Sequence, residues 1–388
     1  MKWMKLSCVA VAVCTLIGVA LSAGAAETIK IGLLAPLTGN AAADGESVQN
    51  SVKLAVERVN GEGGLLGRKV EVVTYDDRAD AKDSVALSHK LIEQDKVVAV
   101  VGGSYSTPMR AVAPIFQEEK IPFVAAYAVH PDITKAGNFC FRNGFLGTVE
   151  GKAAAYAGVK MLKAKKIALL VSDNDFGRTL SQGFKYYITK NAAGAATIVS
   201  EQAYPMSEKD FRAYLTKIKQ ESPDLIFASG YYFQTGPVVK QAREMGITAH
   251  IMGEEGADSP KFLEIAGPAA AEGFVIVTNL NRDDKRPEVQ KFLKTYETRF
   301  KIQPDMVGAS AYDAFMMICD SIKRAKSVKA DDVRNALANI KNFDGLTGQV
   351  KRFTNGEVVK DVQVQIVKKG RFHNLGVVTD PDLITPSE

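Results

Sequence analysis

The sequence has few of the residues that build disulfide scaffolds or metal sites. Its 388 residues include four cysteines, and Cys8 and Cys14 fall near the N-terminus. The other two, Cys140 and Cys319, cannot form a disulfide framework, and whether they pair with each other stays open. The four histidines stand apart, without an H-x-x-x-H or C-x-x-C pattern: His89, His130, His250 and His373. We therefore expect no metal site and no cofactor.

An excess of charge of one sign is also missing. Lysine and arginine total 49, aspartate and glutamate total 44, and the net charge of +5 is spread along the chain without a basic block. A surface that follows nucleic-acid phosphates needs clustered positive charge, so we expect no nucleic-acid partner. The hydrophobic content of 46% is enough for packed cores, and the length suggests two domains or one large one.

The glycine-rich segments lack the spacing of nucleotide-binding and catalytic loops. Residues 61–67 follow a helical pattern without G-x-G-x-x-G spacing, so they indicate a helix-terminating turn. No G-x-x-x-x-G-K-[ST] loop is present. Residues 102–106 resemble the nucleophile turn of a hydrolase, but Ser106 stands where the last glycine is required. An exported hydrolase that uses Ser106 stays a remote alternative, because the sequence places no histidine base beside it.

The first 26 residues have the pattern of a signal peptide. Lys2 and Lys5 precede an apolar run over residues 6–21, and small residues fill positions 22–26. The run is short for a membrane anchor, and a lipoprotein would place its cysteine after the apolar stretch rather than inside it. We therefore predict cleavage near Ala26 and a periplasmic mature protein.

Apolar, β-branched runs alternate with helical patterns as far as about residue 280. This alternation predicts an α/β fold with two mostly parallel sheets flanked by helices. The strands of the first set are predicted at residues 29–34, 70–75, 97–101 and 121–125. Those of the second set are predicted at residues 166–171, 197–201, 224–228 and 250–253. Three later helical stripes suit packing on the first sheet, and residues 362–367 alternate as an antiparallel edge strand would. No flexible linker separates the halves, which predicts two lobes and a ligand cleft between them.

A serine-rich turn follows the predicted strand 97–101, at the edge where open α/β sheets bind ligands. Thr107 is predicted to cap a helix that begins at Pro108. The amides of that helix start, with the hydroxyls of Ser104 and Ser106, would suit a carboxylate. The alternative is that both serines merely cap and solvate the loop.

Two further turns follow strands of the second set, at Tyr231 and Tyr232 and at Glu254 and Glu255. An acidic side chain at a strand end would bind an ammonium group as a charge-assisted pair, and a neighbouring tyrosine could add a cation–π contact. A solvated acidic turn and ordinary tyrosine packing are the alternatives.

Taken together, the segments of the mature chain resemble the periplasmic branched-chain amino-acid-binding family, the leucine/isoleucine/valine receptors of ABC importers. The resemblance rests on the order and spacing of several short segments: IKIG at 29–32, LTG at 37–39, VNGEGG at 59–64, YDD at 75–77, KDF at 209–211, QAREMG at 241–246, MGEEG at 252–256 and AEG at 271–273. It implies a two-lobed periplasmic-binding-protein fold with three hinge crossings. Lobe 1 would comprise residues 27–143 and 279–351, and lobe 2 residues 144–278 and 352–388.

Carried over residue by residue, the resemblance implies that Ser106 binds an α-carboxylate, Tyr231 is an aromatic cleft residue and Glu255 holds an α-amino group. The sequence departs from the family at further cleft positions: Asp44, Tyr127, Val129 and Phe176. A bulky tyrosine at 127 would narrow the pocket or stack on a flat ligand, and a valine at 129 removes a hydroxyl donor. The cysteine pair of some relatives is absent, with Ala79 and Tyr105 at those places.

The predicted function is therefore a binding protein rather than an enzyme. It would close on a small amino acid, branched-chain or otherwise aliphatic, and present it as a monomer to a membrane ABC permease. The same fold binding an aromatic carboxylate, an amide or another non-amino-acid solute is the alternative.

Overall fold

The computed structural model describes residues 27–386, so the predicted signal segment lies outside the described residues. This part of the chain contains fifteen strands: β1 Ile29–Ala35, β2 Val70–Asp76, β3 Ala99–Gly102, β4 Phe123–Ala125, β5 Cys140–Arg142, β6 Lys166–Ser172, β7 Thr197–Tyr204, β8 Leu225–Ser229, β9 His250–Gly253, β10 Val275–Thr278, β11 Lys341–Gly345, β12 Gly348–Thr354, β13 Glu357–Val359, β14 Val362–Lys368 and β15 Arg371–Val378.

Helices connect most of these strands: α1 Ala42–Gly61, α2 Ala81–Glu93, α3 Ser106–Glu118, α4 Asp132–Lys135, α5 Gly147–Tyr156, α6 Asp175–Lys190, α7 Arg212–Gln220, α8 Tyr232–Glu244, α9 Pro260–Ala266, α10 Pro268–Ala271, α11 Pro287–Phe300, α12 Met306–Ala325, α13 Ala330–Ala338 and α14 Pro381–Ile384. A π-helical turn, Ala157–Met161, continues α5, and 3₁₀ turns cover Gly39–Ala41 and Glu255–Ala257. None of the helices within residues 27–386 is long and apolar enough to cross a membrane.

The first sheet has five strands in the order β2-β1-β3-β4-β5, all parallel. Its central strands β3 and β4 are fully buried because helices cover both faces. The predicted helical stripes near the C-terminal end supply part of this cover, since α12 packs on α1 and on strands β3 and β4. The α/β architecture predicted from the alternating pattern is confirmed.

The second sheet has seven strands in the order β15-β14-β10-β9-β8-β6-β7. Strands β6 to β10 are parallel, and β14 and β15 are antiparallel additions. The prediction of an antiparallel strand near 362–367 is right, but its placement at the edge is wrong. Strand β14 lies between β10 and β15 because the turn at Lys369 and Gly370 folds β15 back onto it.

A small antiparallel ladder of β11, β12 and β13 joins the two halves near the C-terminal end. Arg352 lies inside this ladder, where it pairs with Lys341 and Val359. The buried side chain of Arg142, at the end of β5, forms an ion pair with Glu357 of β13 at 2.9 Å. The ladder is therefore fixed to the five-stranded sheet, and the chain enters the seven-stranded sheet at β14.

The chain also crosses between the two sheets after β5 and after β10, and both crossings are hydrogen-bonded to the same residue of α12. The side-chain amide of Asn143, just after β5, donates to the carbonyl of Ser310 at 3.0 Å. The side-chain amide of Asn279, just after β10, donates to the hydroxyl of the same serine at 3.0 Å. Both asparagines are buried. Elsewhere in the structure, Cys140 and Cys319 are both buried and free, so they do not pair with each other.

Candidate functional site

The carboxyl ends of the two sheets face each other across a narrow cavity lined by residues of both halves. We call the residues from the five-stranded half the first wall: Asp44, Tyr105, Ser106, Tyr127, Ala128, Met306 and Val307. The residues from the seven-stranded half form the second wall: Phe176, Tyr231, Glu255 and Gly256. Five of the six predicted site residues line this cavity. The sixth, Val129, is fully buried behind it.

The start of α3 differs from the prediction at this wall. The helix begins at Ser106 with Tyr105 as its N-cap residue, so the prediction that Thr107 caps a helix starting at Pro108 is wrong. Pro108 is tolerated as the third helical residue because amides in the first turn have no intrahelical acceptor. The earlier start brings the side chain of Ser106 to the cavity.

The Ser106 hydroxyl has a defined role in the wall. Its Oγ accepts a hydrogen bond from the amide of Val129 at 3.0 Å, so its own proton remains free to donate. Val129 thus contacts the site through its backbone and not through its side chain. Ser104 does not join this arrangement, because its hydroxyl donates to the buried carboxylate of Asp77 at 3.0 Å. Of the two serine hydroxyls predicted to bind a carboxylate, only that of Ser106 is therefore available.

Aromatic rings from the two walls are stacked across the cavity. The ring of Tyr231 lies 3.9 Å from that of Tyr105, centroid to centroid, with 10° between their planes. The ring of Phe176 lies 4.7 Å from that of Tyr231 at 16°. The stacked rings occupy most of the space between the two walls, so the cavity is much smaller than the ~300–1,000 Å³ of typical small-molecule sites.

Two tyrosine hydroxyls of the first wall are fixed by hydrogen bonds. Tyr127 donates to the carbonyl of Gly103 at 2.7 Å, and Tyr105 donates to Oδ2 of Asp44 at 2.7 Å. The Asp44 side chain is buried, and this burial, reinforced by the nearby charge of Asp305, raises the pKa of its carboxyl well above the usual value. The first wall therefore contains a carboxyl group as well as hydroxyls and rings.

The second wall contains the end of a buried glutamate cluster. Glu254 accepts from the amides of Gly230 at 2.8 Å and Gly256 at 2.7 Å, which joins the turns that follow β8 and β9. Glu150 of α5 accepts from the amide of Glu255 at 3.0 Å. Both carboxylate oxygens of Glu255 are buried and have no hydrogen-bond partner among the described residues. The cluster thus fixes the backbone of Glu255 and leaves its side chain free for the cavity.

The electrostatics of this cluster favour protonated carboxyls. Burial, with the charges of Glu150 and Glu254, raises the pKa of Glu255 well above its usual value, and Lys360 and Arg142 offset only part of this effect. Burial lowers the pKa of Lys360 to about 8, although Asp313 and Glu255 act in the opposite direction. A cationic group placed beside Glu255 would stabilise its ionised form.

Polar contacts also cross the cleft outside the cavity. Asp175 of α6 accepts from the hydroxyl of Thr107 at 3.1 Å and lies 3.4 Å from the guanidinium of Arg110 in α3. The hydroxyl of Tyr232 donates to the carbonyl of Asn40 at 2.6 Å. The structure is therefore a closed arrangement of the two halves.

Some wall residues are not among the predicted site residues. Met306 and Val307 open α12, about 200 residues beyond Ser106, and no local pattern marks them. Tyr105 and Asp44 appear in the sequence as departures from the family, and their side chains in fact meet in the first wall. The signal available for Tyr105 was its position directly before Ser106. Within residues 27–386, no group of histidine, cysteine and acidic side chains has the arrangement of a metal site.

Comparison with known proteins gives consistent results. The family described as "Periplasmic binding protein" matches residues 28–371. A Leu/Ile/Val-binding protein of Rhizobium johnstonii is 30% identical over 332 residues, which cover 85% of this chain and 89% of that protein.

Two solved structures illustrate what this chain is similar to. A leucine-binding protein from Thermotoga maritima has a TM-score of 0.84 and 29% identity, covering 92% of this chain and all of that one. A solute-binding protein of an ABC transporter from R. palustris, solved in complex with benzoate, has a TM-score of 0.82 and 25% identity. The aligned region covers 90% of this chain and 96% of the R. palustris chain.

Proposed function

This chain belongs to the periplasmic binding protein family, and we propose that it binds an α-amino acid and delivers it to an ABC importer in the membrane. The ligand would lie in the cavity between the two walls, with its α-amino group on Glu255 and its α-carboxylate at the start of α3. Export to the periplasm through the N-terminal segment, delivery to a permease and a monomeric state form part of this proposal.

The unpartnered carboxylate of Glu255 carries the proposal. A buried acid without a hydrogen-bond partner is unfavourable, and an ammonium group would satisfy both of its oxygens. The hydrogen bond from its own amide to Glu150 holds the residue in place at 3.0 Å. The second wall is thus shaped for a cation, which an α-amino acid provides.

The first wall supplies donors for the other end of an amino acid. The Ser106 hydroxyl has a free proton, and the amides of Ser106 and Thr107 lie in the first turn of a thirteen-residue helix. First-turn amides and the helix dipole favour a carboxylate without any lysine or arginine. Opposite ends of one ligand would therefore be held by opposite walls, which favours the closed state.

Calorimetric titration tests this proposal. Each of the common amino acids would be compared with the matching carboxylic acid that lacks the amino group, such as leucine with 4-methylpentanoate. We expect at least one amino acid to bind and its deaminated partner to bind at least ~30-fold more weakly. Equal affinity within the pair would remove the ammonium site from the proposal.

An aromatic carboxylate is the second candidate ligand. The stacked rings of Tyr105, Tyr231 and Phe176 offer flat apolar surfaces, and the R. palustris relative was solved with benzoate. An aromatic acid would leave the Glu255 carboxylate without a partner, so we rank it second. Benzoate and 4-hydroxybenzoate belong in the same titration, and tighter binding of either than of any amino acid would reverse the order.

Hydrolysis by Ser106 is not favoured. The hydroxyl of Ser106 hydrogen-bonds to the amide of Val129, and within residues 27–386 no histidine is hydrogen-bonded to it. A serine nucleophile needs such a base to remove its proton. A binding protein should return its ligand unchanged, which mass spectrometry of the titrated ligand would check.

A further inference from the structure

Asp44 is a second acid in contact with the cavity, and it comes from the opposite wall to Glu255. Its side chain is 2% exposed and lies in the first turn of α1. The charges that act on it most strongly are those of Asp305 and Asp258, both negative. No lysine or arginine within residues 27–386 forms an ion pair with it, so an ionised Asp44 would have no counterion in the protein.

Asp44 also has acceptor capacity that the protein does not use. The Tyr105 hydroxyl donates to its Oδ2, whereas a carboxylate can accept about four hydrogen bonds. Holding Tyr105 in position therefore engages one acceptor site of the group. The remaining capacity lies at the wall of a cavity whose other sides are largely apolar or aromatic.

The surroundings of Asp44 suit a donor group. Tyr105, Tyr127 and Tyr231 line the cavity, with the rings of Tyr105 and Tyr231 stacked on each other, and Met306 and Val307 add apolar lining. The hydroxyl of Tyr127 is engaged by the carbonyl of Gly103, so it is not available to satisfy Asp44. Aromatic faces beside a carboxylate stabilise an ammonium as well as a neutral donor.

We propose that Asp44 selects the ligand by its side chain: the bound amino acid carries a hydroxyl, amide or ammonium donor that hydrogen-bonds to Asp44. This inference rests on the proposed function, in which Glu255 and Ser106 hold the α-amino and α-carboxylate groups. A purely aliphatic side chain placed here would bury Asp44 against hydrocarbon and leave its second carboxyl oxygen without a hydrogen-bond partner. Sites built to hydrogen-bond a ligand reject the analogue that lacks the donor.

Isosteric pairs of amino acids test the proposal on the unmodified protein. The pairs are threonine with valine, asparagine with leucine, and lysine with 2-aminoheptanoate, each titrated by calorimetry. In the pair that binds best, we expect the donor-bearing member to bind about 5- to 150-fold more tightly, the usual cost of leaving a buried polar group without its hydrogen-bond partner. Equal affinity, or tighter binding of the aliphatic member, would overturn the proposal.

Variants of Asp44 identify the donor. Asp44→Leu should abolish the preference within the best pair. Asp44→Asn keeps hydrogen-bonding capacity but removes the charge, so a preference for threonine or asparagine should survive in part and a preference for lysine should disappear. If Asp44→Leu leaves the preference intact, another residue provides the selection and the proposal is wrong.

Tyr105→Phe separates ligand contact from the positioning of Tyr105. If Asp44 acted only by holding the Tyr105 hydroxyl, this variant would lose the preference as Asp44→Leu does. We expect it to keep the preference instead, because Asp44 remains in the wall. The same titrations distinguish the two proposals: strong binding of valine and leucine alone would overturn this inference and leave amino-acid binding intact, whereas no binding of any amino acid would overturn both.

Discussion

The two walls of the cavity differ in how completely the protein satisfies their polar groups. In the first wall, the hydroxyls of Ser106, Tyr127 and Tyr105 each have a hydrogen-bond partner within the protein. In the second wall, both carboxylate oxygens of Glu255 are buried without a partner among the described residues, and Glu150, which accepts from the Glu255 amide, also has one such oxygen.

This difference assigns different tasks to the walls. Apart from Asp44, the polar groups of the first wall keep their geometry by their own hydrogen bonds, so they position a ligand and contribute modestly to affinity. The second wall holds buried acids whose unfavourable environment a cationic ligand would relieve. The binding free energy should therefore depend most on Glu255, and the protein without ligand should be destabilised by the same residue.

Glu255→Gln should have the largest effect on binding. It removes the charge opposite the ligand's ammonium group while it keeps the shape, and we expect a loss of about 2–5 kcal/mol, or about 30- to 5,000-fold in affinity by calorimetry. The melting temperature without ligand should stay equal or rise, because a buried acid has been neutralised.

A matched control for this variant is Glu264→Gln. Glu264 is exposed and pairs with Lys261 at the surface, so the substitution changes net charge equally without touching the cavity. Its affinity should equal that of the unmodified protein. If Glu255→Gln also binds normally, the second wall does not hold an ammonium group and the contrast between the walls has no functional meaning.

The sequence was sufficient to predict most of the fold and part of each wall. Buried strands produce apolar runs that can be read directly, so strand β9 has the predicted limits, His250–Gly253. The family resemblance, which implied two lobes of parallel strands, is confirmed by the match over residues 28–371. Ser106 and Glu255 both follow strand ends, where the fold itself brings polar residues to one edge.

What the sequence could not supply depended on contacts between distant segments. The ladder of β11 to β13 was not predicted because β11 and β12 are half exposed without a clear alternation, and β13 has only three residues. The edge position of β15 depends on its pairing with β14, which local pattern does not encode. Likewise, the stacking of Tyr105 on Tyr231 joins residues 126 positions apart, and neither residue's neighbours indicate it.

Ser106→Ala should have a smaller effect than Glu255→Gln. It removes one donor to a carboxylate but leaves the amides at the start of α3 in place, so we expect a loss of about 1.5–3 kcal/mol in binding free energy. Ser104→Ala is the contrasting variant, because Ser104 donates to Asp77 and not to the cavity. That variant should lower the melting temperature and leave affinity unchanged. The reverse pattern would mean that Ser106 only supports its loop.

The stability of the ligand-free protein should fall as pH rises. Burial raises the pKa of Glu150 from 4.5 to about 8, although a hydrogen bond from the Glu255 amide acts in the opposite direction. Between these values the folded protein holds a proton that the unfolded chain releases. This contribution to stability is complete below about pH 4.5 and is lost as pH rises through about 8, at up to ~1.4 kcal/mol per pH unit.

Thermal unfolding from pH 5 to pH 8 measures this effect. Glu254 and Glu255, whose pKa values are also raised, change stability in the same direction. The pKa of Lys360 is lowered from 10.5 to about 8, so its contribution to the stability of the protein is lost as pH falls from about 10.5 to 8. This interval lies above the tested range. Glu150→Gln should flatten the slope, and an unchanged slope in this variant would contradict the description of Glu150 as a buried, protonated acid.

Arg110→Ala should have the smallest effect, because it removes a contact at the cleft rim rather than in either wall. The guanidinium lies 3.4 Å from Asp175 across the cleft and is 43% exposed, and exposed ion pairs contribute about 0.2–1 kcal/mol. We expect affinity to fall less than about fivefold, mainly through faster ligand release in stopped-flow measurements, and the difference from the unmodified protein to shrink in high salt.

Arg178→Ala is the matched control, since Arg178 contacts Asp175 within the same helix and bridges no cleft. Equal release rates for the two variants would show that the rim pair does not help to keep the cleft closed, and a tenfold or larger loss in Arg110→Ala would mean that closure depends on the rim as much as on the walls.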